Sequence, residues 1–403
     1  MHEKNSVKPD KTAIDEIAIR QYRLDRVRRL SEQDDIAAIL LFDPVNIRYS
    51  NGSRNMQVWT MHNFCRYALI VSNGPSIMFD GTTGHHLLSD LETIDDIRPA
   101  WSTDYLVSGY RTEEISSKWA NEISALVKQH GGVNNRLAVD RLDVNTANAL
   151  FATGLELVDG RRIMEHARSI KSLEEIRALK LSLTSCEAAM ADLQALVCPG
   201  MTEQQALALL LKGSIERGGE YPETRLMTSG PRTNPWFQET SERVIETGDF
   251  LSFDTDLIGP MGFYNDISRS WVIGDIKATD EQRRLYEISR AQLETNIALL
   301  QVGTQFLEFA TKAYQLPDEY LENRYADVGH GCGMGVEYPF LWYPEDEALG
   351  AYDGVFEENM VICIESYVGS SGGGQGVKLE QPVWITADGP VVLSDYPLED
   401  SYG

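Results

Sequence analysis

FDTDLIGPMGFYNDISRSW (253–271) is the stretch on which the reading of the whole chain turns. Asp254 and Asp256 stand two residues apart, which in a strand places both side chains on one face. The Gly-Pro-Met-Gly stretch 259–262 has the composition of a hairpin turn. The returning strand would then bring Asp266 alongside the first two carboxylates. Three carboxylates gathered in this way repel one another unless a cation holds them. The ordinary alternative is a solvated acidic hairpin, but the flanking residues are apolar and aromatic. Partial burial follows, and a buried unpaired carboxylate is costly.

Three later residues extend the cluster. His330 lies in YADVGHGCGMG (325–335), where glycines let backbone approach a site closely. Glu365 ends the apolar strand-like run 360–366, and Glu380 sits in GVKLEQPVW (376–384). A lone histidine is more often structural, and a lone strand glutamate more often faces solvent. Glu365 resists that reading because the run before it should be buried on both sides. Carboxylates with one imidazole suit a pair of divalent ions such as iron, manganese, cobalt or zinc.

Outward from this centre, a chain of 403 residues predicts two domains rather than one core. Hydrophobic content of 42% and charged content of 24% are those of a globular protein. A formal charge of −25 argues against a nucleic-acid or anionic-membrane partner, whose phosphates would repel it. The N-terminal residues have charges and no apolar core of a signal peptide, and the longest apolar run, 36–42, is far too short to span a bilayer. Five scattered cysteines without CxxC spacing indicate neither a disulfide framework nor a zinc knuckle. A reduced, cytoplasmic protein is expected.

The first 165 residues read as α/β: a helix over 17–32, strands at 36–42, 67–72, 76–80 and 137–140, a helix around 116–130, and turn residues through 43–55. Residues 168–180 read as a linker running into a long helix. Thr202 with Gln205, and Thr279 with Gln282, have capping-box spacing. These two similarly started helices hint at an internal repeat. Further strands are predicted at 250–258, 262–273, 360–368 and 377–386.

The order Asp, Asp, His, Glu, Glu, with DISR on the second strand, HxxG after the histidine and an IES strand, resembles the creatinase/prolidase/methionine-aminopeptidase superfamily. The resemblance covers roughly 165–395. It implies an α/β N-terminal domain (1–165), an α+β pita-bread catalytic domain (166–403) with pseudo-twofold symmetry, and a homodimer. Xaa-Pro peptidases of this superfamily carry further histidines, which here are replaced by Trp236 or Phe237, by Ala326 and by Glu337. Creatinases abandon the metal ligands. The doubled aspartate of FDTDLIGP, the segment SGPRTNPWFQE (229–239) and DPVNIRY with RNMQVW (43–59) are similar to the DddP-type dimethylsulfoniopropionate lyases.

That similarity implies metal ligands at Asp254, Asp256, Asp266, His330, Glu365 and Glu380, two divalent ions with iron first and manganese, zinc or cobalt as alternatives, and a site tyrosine at Tyr325. The base aspartate expected six residues after the histidine is Val336 here, so Glu337 becomes a stand-in base beside Tyr325. Nearby cations would lower the Tyr325 phenol below its ordinary ~10. The implied substrate is a small zwitterionic carboxylate with a sulfonium group. Trp236 and Phe237 could hold that cation by a contact of ~0.5–2 kcal/mol, or could simply pack in the core. A metallopeptidase or amidohydrolase is the alternative.

Overall fold

The apolar run before Asp43 supplies the central strand of the first of two units, Asp15–Arg168, in a computed structural model that describes residues 13–399. The reading of residues 1–12 as lacking a signal peptide lies outside the described residues. Strand β1 (Ala38–Leu41) pairs antiparallel with β2 (Tyr67–Val71), which pairs antiparallel with β3 (Ser76–Asp80). Parallel pairing adds β4 (Asp96–Pro99) outside β3, β5 (Arg136–Val139) beside β1, and β6 (Glu156–Asp159) at the far edge. The helix Thr112–Gly131 covers the sheet with a fully buried Trp119, which packs edge-on to Tyr67 and near Phe42. Residues 43–55, expected to be turns, contain the helix Pro44–Asn51. Asp43 accepts hydrogen bonds from the Val45 and Asn46 amides, and Pro44 occupies the first helical position. An acidic cap before an N1 proline is a helix start.

The second unit begins at Ser169. Its long helix, Leu173–Leu196, is started by a Ser172–Glu175 capping box, and the two predicted boxes start Glu203–Glu216 and Asp280–Ala298. Three strands, β8 (Met227–Ser229), β9 (Phe250–Asp254) and β12 (Ser268–Val272), form one antiparallel sheet in the order β12-β9-β8. A smaller sheet joins β7 (Tyr221–Pro222), β10 (Leu257–Ile258) and β11 (Tyr264–Asn265). The third sheet runs β14-β13-β15-β16-β17, built from β13 (Gly329–Cys332), β14 (Val336–Leu341), β15 (Val361–Gly369), β16 (Gly376–Thr386) and β17 (Gly389–Val392). The helix Asp280–Ala298 lies against β15 and β16, and β16 packs on β9 and β12. Among the described residues no helix is long and apolar enough to cross a membrane.

Asp254 and Asp256 do not share one strand face. The chain leaves β9 at Asp254, Asp256 takes a left-handed φ of 41°, and β10 then pairs in a different sheet. Aspartate tolerates this conformation better than most side chains. Thr255 locks the bend: its hydroxyl donates to the Asn265 carbonyl at 2.8 Å and accepts the Ile267 amide at 3.0 Å. The two aspartates therefore meet through a bend, while Asp266 is carried in just ahead of β12.

Candidate metal centre

All six residues singled out as metal ligands are buried and fall into two groups whose ligand atoms lie within 4.8 Å of one another, bridged by a third group of Asp266, His330 and Cys363. Asp254, Asp256 and Asp266 form one group, and His330, Glu365 and Glu380 another. The His330 Nε2 lies 3.4 Å from Asp266 and 3.3 Å from Glu365. Its Nδ1 lies 3.1 Å from the Gly331 carbonyl, an acceptor only, so the proton belongs on Nδ1. That leaves Nε2 as the coordinating nitrogen. Glu365 and Glu380 face each other directly across the β15–β16 ladder. Like charges in that position destabilise a sheet unless a cation joins them.

The electrostatics follow from this crowding. Burial, then the neighbouring Asp254, pushes the Asp256 carboxyl up to about 7. Its oxygens accept from the hydroxyls of Thr224 and Tyr264. Burial and the charges of Glu380 and Asp254 push Asp266 well above the usual carboxylate range. Burial opposes charge on His330, but its contact with Glu365 outweighs this and raises the imidazole well above its ordinary value.

Among the described residues, four buried carboxylate oxygens have no hydrogen-bond partner: Asp254 Oδ1, Asp266 Oδ1 and Glu380 Oε1 in the ligand set, and Asp327 Oδ1 beside it. Buried oxygens without partners are rare and need an explanation. Carboxylate oxygens with an imidazole nitrogen are a donor set that fits divalent transition metals. The residues present fit such ions.

Two participants were not legible in the sequence. Lys378, wholly buried, donates to Asp254 at 3.1 Å, to Glu380 at 3.3 Å and to Glu365. It stands two residues before Glu380 on the same strand face, yet a lone lysine in a strand ordinarily reads as solvent-facing. Asp327, three residues before His330, is also buried, and burial pushes its carboxyl up to about 7.

The aromatic residues line up on the same centre. The Lys378 ammonium lies 4.5 Å from the Tyr325 ring and 5.7 Å from the Trp236 ring. Phe237, largely exposed, stacks on Tyr325 with centroids 5.2 Å apart. Trp236 and Tyr325 form a small buried cluster with Tyr367. Buried Glu203 holds the segment carrying Trp236 and Phe237. It accepts the amides and hydroxyls of Ser229 and Ser241 at both ends and pairs with Arg232. The shift expected of Tyr325 depends on bound cations, and the protein's own groups act the other way. Burial and the Glu365 charge push its phenol well up, and Lys378 only partly opposes them.

Glu337, expected as a stand-in base, is engaged elsewhere. Its carboxylate is buried 3.2 Å from Lys171 and accepts the Met334 amide at 2.8 Å, while the neighbouring Val336 is half-exposed. This is a role in holding a turn. Glu337→Gln should lower the melting temperature, because breaking a buried ion pair costs ~3–5 kcal/mol. Turnover per metal-loaded molecule should stay near wild type. A loss of ~10²-fold or more in that quantity would make Glu337 the base.

Comparison with known proteins agrees with this geometry. Residues 177–387 match metallopeptidase family M24, and residues 23–170 match the creatinase/prolidase N-terminal domain. The chain is 35% identical over 386 residues to a dimethylsulfoniopropionate lyase DddP of Roseovarius nubinhibens, covering 94% of this chain and 86% of that protein. It is 35% identical to the DddP of Roseobacter denitrificans, covering 95% and 87%. Among solved structures, an Xaa-Pro dipeptidase from Bacillus anthracis superposes with a TM-score of 0.76 at 21% identity, over 94% of this chain and 98% of that one. The prolidase from Pyrococcus horikoshii superposes with a TM-score of 0.75 at 18% identity, over 94% and 99%. The chain, a creatinase-type N-terminal domain followed by a pita-bread domain, belongs to metallopeptidase family M24 and within it to the family of the DddP proteins.

Proposed function

We propose that this enzyme is a metal-dependent carbon–sulfur lyase that splits dimethylsulfoniopropionate, or a closely related small zwitterion, into dimethyl sulfide and acrylate. The observation that carries the reading is the replacement of the peptidase histidines around a complete ligand set. Trp236 and Phe237, Ala326 and Glu337 stand at those positions, and Glu337 is committed to Lys171. The likeness to two DddP lyases over nearly the whole chain supports the same substrate class.

Asp254, Asp256, Asp266, His330, Glu365 and Glu380 would hold two divalent ions, iron first. Bound there, the ions supply Lewis acidity toward a substrate carboxylate and favour the phenolate of a nearby tyrosine. Tyr325 takes the α-proton onto its phenolate oxygen. The C–H electron pair becomes the new carbon–carbon double bond, and the C–S bond breaks with its electrons leaving on sulfur. Lys378 beneath the Tyr325 ring adds positive charge beside that phenolate. Phe237, on the outer face of Tyr325, suits the sulfonium end by cation–π attraction. That orientation keeps the sulfonium away from the Lys378 ammonium. A homodimer belongs to the same reading, and sedimentation equilibrium tests it.

The deciding experiment incubates iron- or manganese-loaded protein with dimethylsulfoniopropionate and measures dimethyl sulfide in the headspace. A parallel reaction uses an Xaa-Pro dipeptide. Metal-dependent release of dimethyl sulfide with negligible peptide cleavage is expected. Robust metal-dependent dipeptide cleavage without dimethyl sulfide would replace the lyase by a peptidase with another proton relay.

A further inference from the structure

The Lys378 ammonium touches one oxygen of each of three metal-ligand carboxylates: Asp254 Oδ2, Glu365 Oε2 and Glu380 Oε2. It also donates to the Ser268 hydroxyl at 2.8 Å, and that hydroxyl donates to the same Glu380 oxygen at 2.9 Å. The opposite oxygens of Asp254 and Glu380 are the ones without a hydrogen-bond partner among the described residues. The remaining Glu365 oxygen, Oε1, is turned toward His330. One cation thus holds the back of three carboxylates, while the front oxygens of Glu365 and Glu380 lie 3.3 and 3.9 Å from the histidine Nε2 and Asp254 groups with Asp256 and Asp266.

We propose that Lys378 is a positioning residue of the metal centre, fixing these three carboxylates by their rear oxygens so that their front oxygens bind the ions. The inference rests on the metal-binding part of the proposed function and is independent of the substrate. A lysine suits this task because its ammonium has three donors on one compact charge. Asp254, Glu365 and Glu380 arrive from strands in two different sheets, so backbone pairing alone leaves their side-chain torsions free. Charge points the same way. The five ligand carboxylates are balanced by two divalent ions together with one ammonium. Outer contacts that orient ligands of this kind are generally worth ~10–100-fold in metal affinity.

The test measures the dissociation constant for Mn²⁺ by competition with a chelating fluorophore. Wild type is compared with Lys378→Met and Lys378→Arg, and circular dichroism confirms folding. Lys378→Met should bind Mn²⁺ ~10–100-fold more weakly, and Lys378→Arg, which keeps the charge and donors, should fall between it and wild type. Unchanged or tighter binding by folded Lys378→Met would overturn the proposal: unchanged affinity makes the lysine merely structural, and tighter binding makes it a competitor of the ions. Should Lys378→Met fail to fold, Lys378→Gln reads the same quantity, with wild-type affinity again overturning it. Because the readout is metal affinity, the result stands whether or not dimethyl sulfide is released.

Discussion

Glu380→Ala, Asp256→Ala and His330→Ala should each purify without transition metal and without activity, yet their metal-free folds should respond in opposite directions. Each removes one donor from a group of three whose ligand atoms lie within 4.8 Å of one another, so the remaining donors no longer surround an ion. The stability argument is one of sign. Asp256 is pushed up to about 7 by burial and then by the Asp254 charge, so both burial and repulsion oppose its ionised form in the metal-free protein. Removing Asp256 or Glu380 takes away repulsion, and Lys378 keeps Asp254 and Glu365 as partners. The metal-free melting temperature of these two variants should therefore hold or rise. His330 is raised by Glu365 and offsets the same repulsion, so His330→Ala should lower it. Elemental analysis and differential scanning calorimetry on chelator-treated protein check both halves. Wild-type metal content in Glu380→Ala or His330→Ala would remove that residue from the ligand set.

What the sequence disclosed about this centre, and what it withheld, divides by how far each inference had to reach along the chain. Burial of the run before Glu365 is a local property, and every residue of β15 is buried. The capping boxes at Thr202 and Thr279 are equally local and form as read. Asp256 shows where local reading fails. Alternation assumes an extended backbone, and a single left-handed residue moves its side chain by a route that period-two counting does not contain. Lys378 and Glu337 fail for a different reason. A lysine within a strand and a glutamate at a strand's start are ordinarily solvated, and only partners 13 to 166 residues distant make them buried ions. The helix at Pro44–Asn51 was within reach, since Asp-Pro states a cap and a first turn.

Tyr325→Phe should cost ~10²–10⁴-fold in kcat toward dimethylsulfoniopropionate while leaving metal content and KM close to wild type. The substitution removes one oxygen and keeps the ring. The stacking with Phe237 and the Lys378 contact at 4.5 Å both belong to the ring, so the walls of the site persist. Only the proton-accepting atom is lost. Burial and the Glu365 charge hold the free phenol well up, so the protein alone disfavours the phenolate. Positive charge from Lys378 and from bound ions works in the opposite direction. If Tyr325 is the base, the wild-type rate should climb as pH rises toward the phenol's value and level off above it. Tyr325→Phe should lose that limb, with a residual rate nearly flat across the same range. A merely structural tyrosine would leave the limb in place at reduced amplitude. Asp327 is the carboxylate to examine in that event, because it is buried, pushed up to about 7 and shares the charge environment of His330 and Glu365. A Tyr325→Phe enzyme with wild-type kcat and an intact pH limb would transfer the base assignment away from the phenol.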